Sequence, residues 1–220
     1  MTMNRTDTIT NVPDVFGRWY LAVVEFAAGT PRPVRIVMAH FTELGVVLLA
    51  ALLALVWWHA RRGTDRAMAL TLAGGAGVVV SYGLSEWAKT YLDAERPCRT
   101  FAHVVIVAGE CPPPGDWSFP SNHSTIAGAL ATALLLTSWR IGLPALAVGA
   151  AAAFSRVFVG VHYPHDVAAG FLLGAGTVLV LAPALVRPST GLVARMRERP
   201  LPGRILTAGR SQSSGPASPA

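Results

Sequence analysis

The chain has 220 residues, 52% of them hydrophobic and only 14% charged, with a net charge of +6. A soluble domain carries about 25% charged residues, so this composition argues against a water-soluble globule and for a protein that lives in lipid. The positive balance would suit nucleic acid in a soluble protein, but the arginines fall in loops and the C-terminal tail, where membrane topology accounts for them and no nucleic-acid partner is implied.

Along the chain, residues 1–14 are polar. Residues 1–11 lack the apolar stretch and small-residue cleavage site of a signal peptide, so insertion is expected to rest on internal segments. Residues 15–29 are apolar but interrupted by Arg18 and Glu25. That pattern reads as an amphipathic helix lying in the membrane interface, with a further spanning helix as the competing reading. A bilayer core of ~30 Å takes roughly 20 apolar residues of helix. Segments 38–58, 67–87, 141–161 and 167–186 meet this length. Segment 125–139 is short and meets it only if its helix begins at Ser121. The expected fold is all-α, a polytopic transmembrane helix bundle of five spanning helices plus an N-terminal interfacial helix, or of six spanning helices.

Small residues at Gly74, Gly75, Gly77, Gly170 and Gly174, and the alanine-rich stretch 145–153, would let these helices approach closely. The transmembrane domain is expected over 15–187. The tail 188–220, rich in Ser, Pro, Gly and Arg, reads as a basic, disordered cytoplasmic segment. Arg61, Arg62 and Arg66, then Arg140, then Arg187, Arg195, Arg197, Arg199 and Arg204 follow alternate membrane crossings, which places them in the cytoplasm. The loop 89–123 and the turn 161–166 then lie together on the extracytoplasmic face. Cys98 and Cys111 share that loop and either pair as a disulfide or remain thiols.

Three clusters at this face carry chemistry. The first holds Lys89, the chain's single lysine, and Arg96-Pro97. The second is Pro120-Ser121-Asn122-His123 and the third runs from Ser155-Arg156 through His162 to Asp166. Pro164 suits the first turn of a helix, which leaves His162 just outside it and Asp166 within that turn. Asp166 can then reach back to one ring nitrogen of His162 and raise the basicity of the other, as a nucleophilic histidine requires. A helix-start hydrogen bond without catalysis is the commoner meaning of such a pair. Ser121 is placed as an N-cap, and a helix N-terminus is a ready anion site, with His123 in its first turn. Arg156 lies within an apolar segment, where a charge is either functional or snorkels to the interface. Singly, each residue has a bland reading. Together, three cations, two histidines, a carboxylate and a helix N-terminus on one face suit a highly charged phosphoryl group.

These residues resemble the signature of the type-2 phosphatidic acid phosphatase (PAP2) superfamily, K-x6-RP, PSGH and SR-x5-H-x3-D. The first and third parts match at each fixed position, and Asn122 replaces the usual glycine of the second. The resemblance implies a metal-independent phosphatase without cofactors, acting on a lipid phosphate substrate from within the bilayer. In it His162 would attack phosphorus, Asp166 would orient His162, and His123 would protonate the leaving oxygen and then activate water. Lys89, Arg96 and Arg156 would neutralise the phosphoryl oxygens, with Ser121 and Asn122 completing the cradle. The N-terminal stretch is similar to bacterial undecaprenyl-diphosphate phosphatases of the superfamily, which implies undecaprenyl diphosphate as substrate. Phosphatidylglycerol phosphate, phosphatidic acid and other polyprenyl phosphates are the alternatives within the superfamily. A catalytically silent lipid-binding or transport protein is the alternative of another class, and it would not need His123 and His162. His165, His103, Asp93 and Glu95 are left outside the core site, Glu86 is expected to pair with Lys89 one turn away, and Glu43 and His40 stand near the active face without an assigned role.

Overall fold

The computed structural model describes residues 14–101, 103–199 and 205–207; the polar start and the end of the tail, 1–13 and 208–220, lie outside the described residues. Its helices are α1 (Asp14–Gly29), α2 (Arg32–Ala60), α3 (Asp65–Lys89), α4 (Pro97–Thr100), α5 (Asn122–Thr137), α6 (Trp139–Phe158) and α7 (Pro164–Arg197). Local sequence explains the boundaries. Prolines occupy the first turns of α2, α4 and α7, where the missing N–H costs nothing. Thr64 caps α3 by accepting from the N–H of Ala67 at 3.1 Å.

Four helices, α2, α3, α6 and α7, are long and apolar enough to cross a membrane. Their outward faces carry exposed Val47, Val79, Val80, Leu172 and Val180, a surface that suits acyl chains and not water. Helix α5 is 16 residues long, about 24 Å at the usual helical rise. It has no polar face, and a helix apolar all round belongs in an interior. Accordingly it fills the middle of the bundle, packed against α2, α3, α6 and α7. The connection to α6 is one residue, Ser138, so Arg140 lies in the first turn of α6 rather than in a loop.

Close approach at small residues makes this packing possible. A Cβ on Gly174 would lie 1.9 Å from the Thr125 carbonyl oxygen, and one on Gly170 would lie 2.4 Å from that of Ser121. Gly74 meets Ala133 and Gly77 meets Val178, as expected of contact residues, whereas Gly75 faces open space.

Helix α1 buries Gly17, Tyr20, Val24 and Ala27, one stripe at helical spacing, and exposes Arg18, Trp19, Glu25 and Phe26. Its stripe packs on Ala153 and Val157 of α6 and on Tyr163 and Val167 at the start of α7. The Tyr20 hydroxyl donates to the Gly160 carbonyl at 3.0 Å. Gly160 has φ of 90°, a left-handed geometry that glycine adopts freely. Thus α1 buttresses the turn that leads into residue 162.

One expectation is corrected. The tail does not lose its structure at 188: Pro188 lies inside α7, which continues to Arg197. Val186 and Val193 bury against Ala60, Met68, Ala69 and Leu206. Arg197 donates to the carbonyls of Ala60 and Gly63 and pairs with Asp65 at 2.6 Å. These contacts give the extra turns of helix a partner that composition alone does not reveal.

Substituting Gly174→Ala should lower stability by about 1–3 kcal/mol, read as a fall in Tm in detergent. Gly176→Ala, where an added Cβ meets nothing within 4 Å, should leave Tm unchanged or raise it slightly.

Candidate active site

The site lies where the C-termini of α3 and α6 meet the N-termini of α5 and α7, at the bundle end opposite Arg61 and Arg197. Asp166, in the first turn of α7, has no exposed surface. Burying a carboxylate is costly, and Asp166 is hydrogen-bonded through one oxygen alone, its Oδ1 having no such partner. Its Oδ2 accepts from the N–H of Tyr163 at 2.8 Å and from the Ser118 hydroxyl, and lies 3.5 Å from His162 Nδ1. His165 Nε2 stands 3.2 Å from the other carboxylate oxygen, Oδ1.

The tautomer of His162 follows from its neighbours. Arg96 Nη1 sits 3.0 Å from His162 Nε2, and a guanidinium only donates, so Nε2 must offer its lone pair. The ring proton of neutral His162 is therefore on Nδ1, facing Asp166 Oδ2 and, at 3.3 Å, Ser118 Oγ. Burial first, then the charges of Arg96 and Arg156, push the His162 ring down to about 4 against the pull of Asp166. An unprotonated Nε2, with the ring proton held on Nδ1, is the arrangement of a nucleophile.

Lys89 ends α3, Arg96 precedes α4 and Arg156 lies in the last turn of α6. Arg96 donates from Nε to the Asp116 carbonyl at 2.8 Å and from Nη1 to the Val161 carbonyl at 3.0 Å. The Asp116 carboxylate pairs with Arg96 at 3.0 Å and Lys89 at 3.5 Å. Burial raises the Asp116 carboxyl, but hydrogen bonds and charge from Arg96 and Lys89 outweigh it and hold the group below the usual carboxylate range. Arg156 donates to Thr42 at 3.2 Å and lies 3.6 Å from Glu43.

His123 is in the first turn of α5, and its Nε2 lies 2.8 Å from Glu43. Ser121 occupies the N-cap position but does not cap: its hydroxyl accepts from Ser124 at 3.1 Å. With no side-chain cap, the first amides of α5 keep their capacity for an anion. Asn122 accepts from Ser85 at 2.7 Å and donates to Glu86, which is itself 3.6 Å from Lys89. The residue that replaces glycine therefore ties α5 to α3.

The structure thus brings together Lys89, Arg96, His123, Arg156, His162 and Asp166, with Ser121 and Asn122 at the same helix start. Glu86 meets Lys89 as expected and Glu43 meets His123, but His40 bonds the Ile36 carbonyl. Glu95 pairs with Arg99 at 2.6 Å, while Asp93 and His103 are exposed. Cys98 and Cys111 form a disulfide, closing the loop between α4 and α5. Ser118 and Asp116 are the residues that sequence reading missed. Neither carries a spacing signal, and only the fold of the loop before Pro120 brings them to His162 and Arg96. Among the described residues, no group of three or more His, Cys, Asp or Glu side chains could hold a metal ion.

Residues 66–188 match the PAP2 superfamily, more than half the chain and all three clusters of the site. The chain belongs to the PAP2 superfamily. Among relatives, it is 30% identical to the undecaprenyl-diphosphatase BcrC of Bacillus subtilis over 165 residues, 74% of this chain and 81% of that one. It is 34% identical to a decaprenylphosphoryl-5-phosphoribose phosphatase of Mycobacterium tuberculosis over 141 residues, 63% of this chain and 71% of that one. The crystal structure of Aquifex aeolicus LpxE superposes with a TM-score of 0.59 at 21% identity, covering 80% of this chain and 98% of that one. This PAP2 chain is an integral membrane protein and a phosphatase of that type.

Removing the Ser118 hydroxyl should loosen the Asp166–His162 pair without touching the cations. Ser118→Ala should lower kcat roughly ten- to hundredfold and leave KM within a factor of a few, as measured by phosphate release.

Proposed function

We propose that this PAP2 phosphatase hydrolyses undecaprenyl diphosphate to undecaprenyl phosphate and phosphate at the extracytoplasmic membrane face, through a phosphohistidine. The observation that carries the reading is the bonding of His162: Asp166 and Ser118 at Nδ1, and an Nε2 lone pair that faces the Arg96 guanidinium. His162 Nε2 bonds to the terminal phosphorus while the bridging P–O bond breaks, and His123 gives its proton to the departing prenyl phosphate. His123 then takes a proton from water, which attacks phosphorus; the P–N bond breaks, its electrons return to Nε2, and phosphate leaves. Arg96 Nη1 donates to Nε2, so an incoming phosphoryl oxygen must take that N–H bond from the ring before attack. Lys89, Arg96, Arg156 and the α5 amides offset the charge on the equatorial oxygens.

The orientation is supported by the arginine-rich opposite end and by the disulfide, which belongs to oxidising compartments. The substrate is supported by the relative in B. subtilis. A second reading, a phosphomonoester on a prenyl-linked sugar, is favoured by the mycobacterial relative at 34% identity.

Purified protein in detergent should release phosphate fastest from undecaprenyl diphosphate, against a panel of prenyl-linked phosphosugars, phosphatidylglycerol phosphate and phosphatidic acid. Faster turnover of a glycerophospholipid or phosphosugar would refute the substrate assignment. His162→Ala should cut turnover by at least about a thousandfold while the protein stays folded.

The pH dependence has a definite sign. The reactive form of His162 is neutral, and its proton affinity lies below the ordinary 6.5. The nucleophile therefore stays competent as pH falls, until about 4. Single-turnover formation of the phosphoenzyme should show its nucleophile limb there; a rate that already falls with falling pH above 6 would contradict the assignment.

A further inference from the structure

The cradle's cations pair with carboxylates that lie outside the three signature clusters. Lys89 is held by Glu86 and Asp116, Arg96 by Asp116, and Arg156 by Glu43. Three positive charges thus face three negative ones, and His123 also rests on Glu43.

The two sets differ in burial. The Arg96 and Arg156 side chains are 4% and 11% exposed, whereas those of Asp116 and Glu43 are 43% and 63% exposed. Buried cations without counter-charge are costly, so these cations need anions beside them. The half-exposed carboxylates can swing into water at little cost, while the cations cannot follow them. Asp116 also mimics a ligand in detail: a single oxygen, Oδ1, lies 3.0 Å from Arg96 and 3.5 Å from Lys89, as a phosphoryl oxygen would. Its backbone carbonyl holds Arg96 Nε independently, so the guanidinium keeps its place when the side chain leaves.

We infer that Asp116 and Glu43 are resident counter-anions of the phosphoryl cradle, which yield to the substrate's phosphoryl group and then compete with product phosphate for the same cations. The inference rests on the phosphatase reading above. It gives the two residues a role in product release and in discrimination between anions, rather than in bond breaking. Without them the cradle would grip free phosphate more tightly, and turnover would be limited by its departure. A purely structural role predicts the opposite, because loss of a packing or bonding partner disorders Arg96 and weakens anion binding.

The test is inhibition of lipid-phosphate hydrolysis by inorganic phosphate and by vanadate, with purified full-length protein in detergent. Asp116→Asn keeps the backbone contact and removes only the charge. It should lower both inhibition constants on the order of fivefold, the scale of a half-exposed ion pair, and lower KM in step. Asp116→Glu should restore wild-type inhibition. Glu110→Gln, an exposed carboxylate of the same loop, should leave both constants unchanged. Glu43→Gln should act like Asp116→Asn and serves if the latter does not fold. Unchanged or weaker inhibition in the folded charge-removing variants overturns the inference. A wild-type protein that releases no phosphate from any lipid phosphate overturns the phosphatase reading instead.

Discussion

A carboxylate sealed from solvent at the start of α7 organises this molecule. Asp166 has to be ionised to orient His162 and has to be bonded to be buried. The same neighbours serve both demands, through Oδ2. The Tyr163 amide closes the first turn of α7 onto its side chain, and Ser118 reaches it from a loop 48 residues earlier. Its backbone carbonyl accepts from the Ser121 amide at 3.1 Å, which fixes where α5 begins. One residue therefore sets the tautomer of a histidine, the start of one helix and the height of another. Its backbone carbonyl could not reach the Ser121 amide if α5 and α7 stood farther apart, and the glycines at 170 and 174 are what bring them close.

The remainder of the bundle can be understood as a frame for helix ends. The proposed reaction needs cations, an acid–base histidine and a nucleophile around one phosphorus, and the candidates for them come from α3, the loop before α4, α5, α6 and the turn before α7. Helix ends supply dipoles and free amides, but they also fray unless something holds them. Helix α1 does so for the turn at 159–163, through Tyr20 on Gly160, and Phe16 packs on His165. The disulfide between Cys98 and Cys111 does so for the loop carrying Asp116. Apolar surface faces outward along the four long helices, so the solvent that stabilises the frame is lipid, while the charged site gathers at one end.

Electrostatics at that end is balanced rather than simply positive. The cations of a dianion cradle, taken alone, would be a cluster of buried like charges. The protein instead surrounds it with Glu43, Glu86 and Asp116, which neutralise Lys89, Arg96 and Arg156 in pairs. The neutralising carboxylates are the more exposed partners of these pairs, and the cations the more buried ones.

Much of this was legible in the sequence. Apolar length announced a helical membrane bundle, small residues announced its contacts, and the spacing from Arg156 through His162 to Asp166 announced a helix start with a polarised histidine. These features are local: one helix turn or one bilayer thickness sets each of them. What the tertiary structure decided is what distant segments do to one another. Ser118 and Asp116 carry no periodicity and no fixed spacing to a partner, so only the folded loop puts them on His162 and Arg96. Glu43 is an ordinary carboxylate near the start of a span until α2 packs beside α5 and α6. Ser121 sits where a cap belongs, yet its hydroxyl turns inward to Ser124, leaving amides free. The helix beyond Pro188 persists because Val193 finds a buried site and Arg197 finds the ends of α2 and α3. Sequence by itself determined the solvent, the elements and the chemical groups of this protein; tertiary packing decided which charges meet, because a side chain's partner across the bundle leaves no mark in its own neighbourhood.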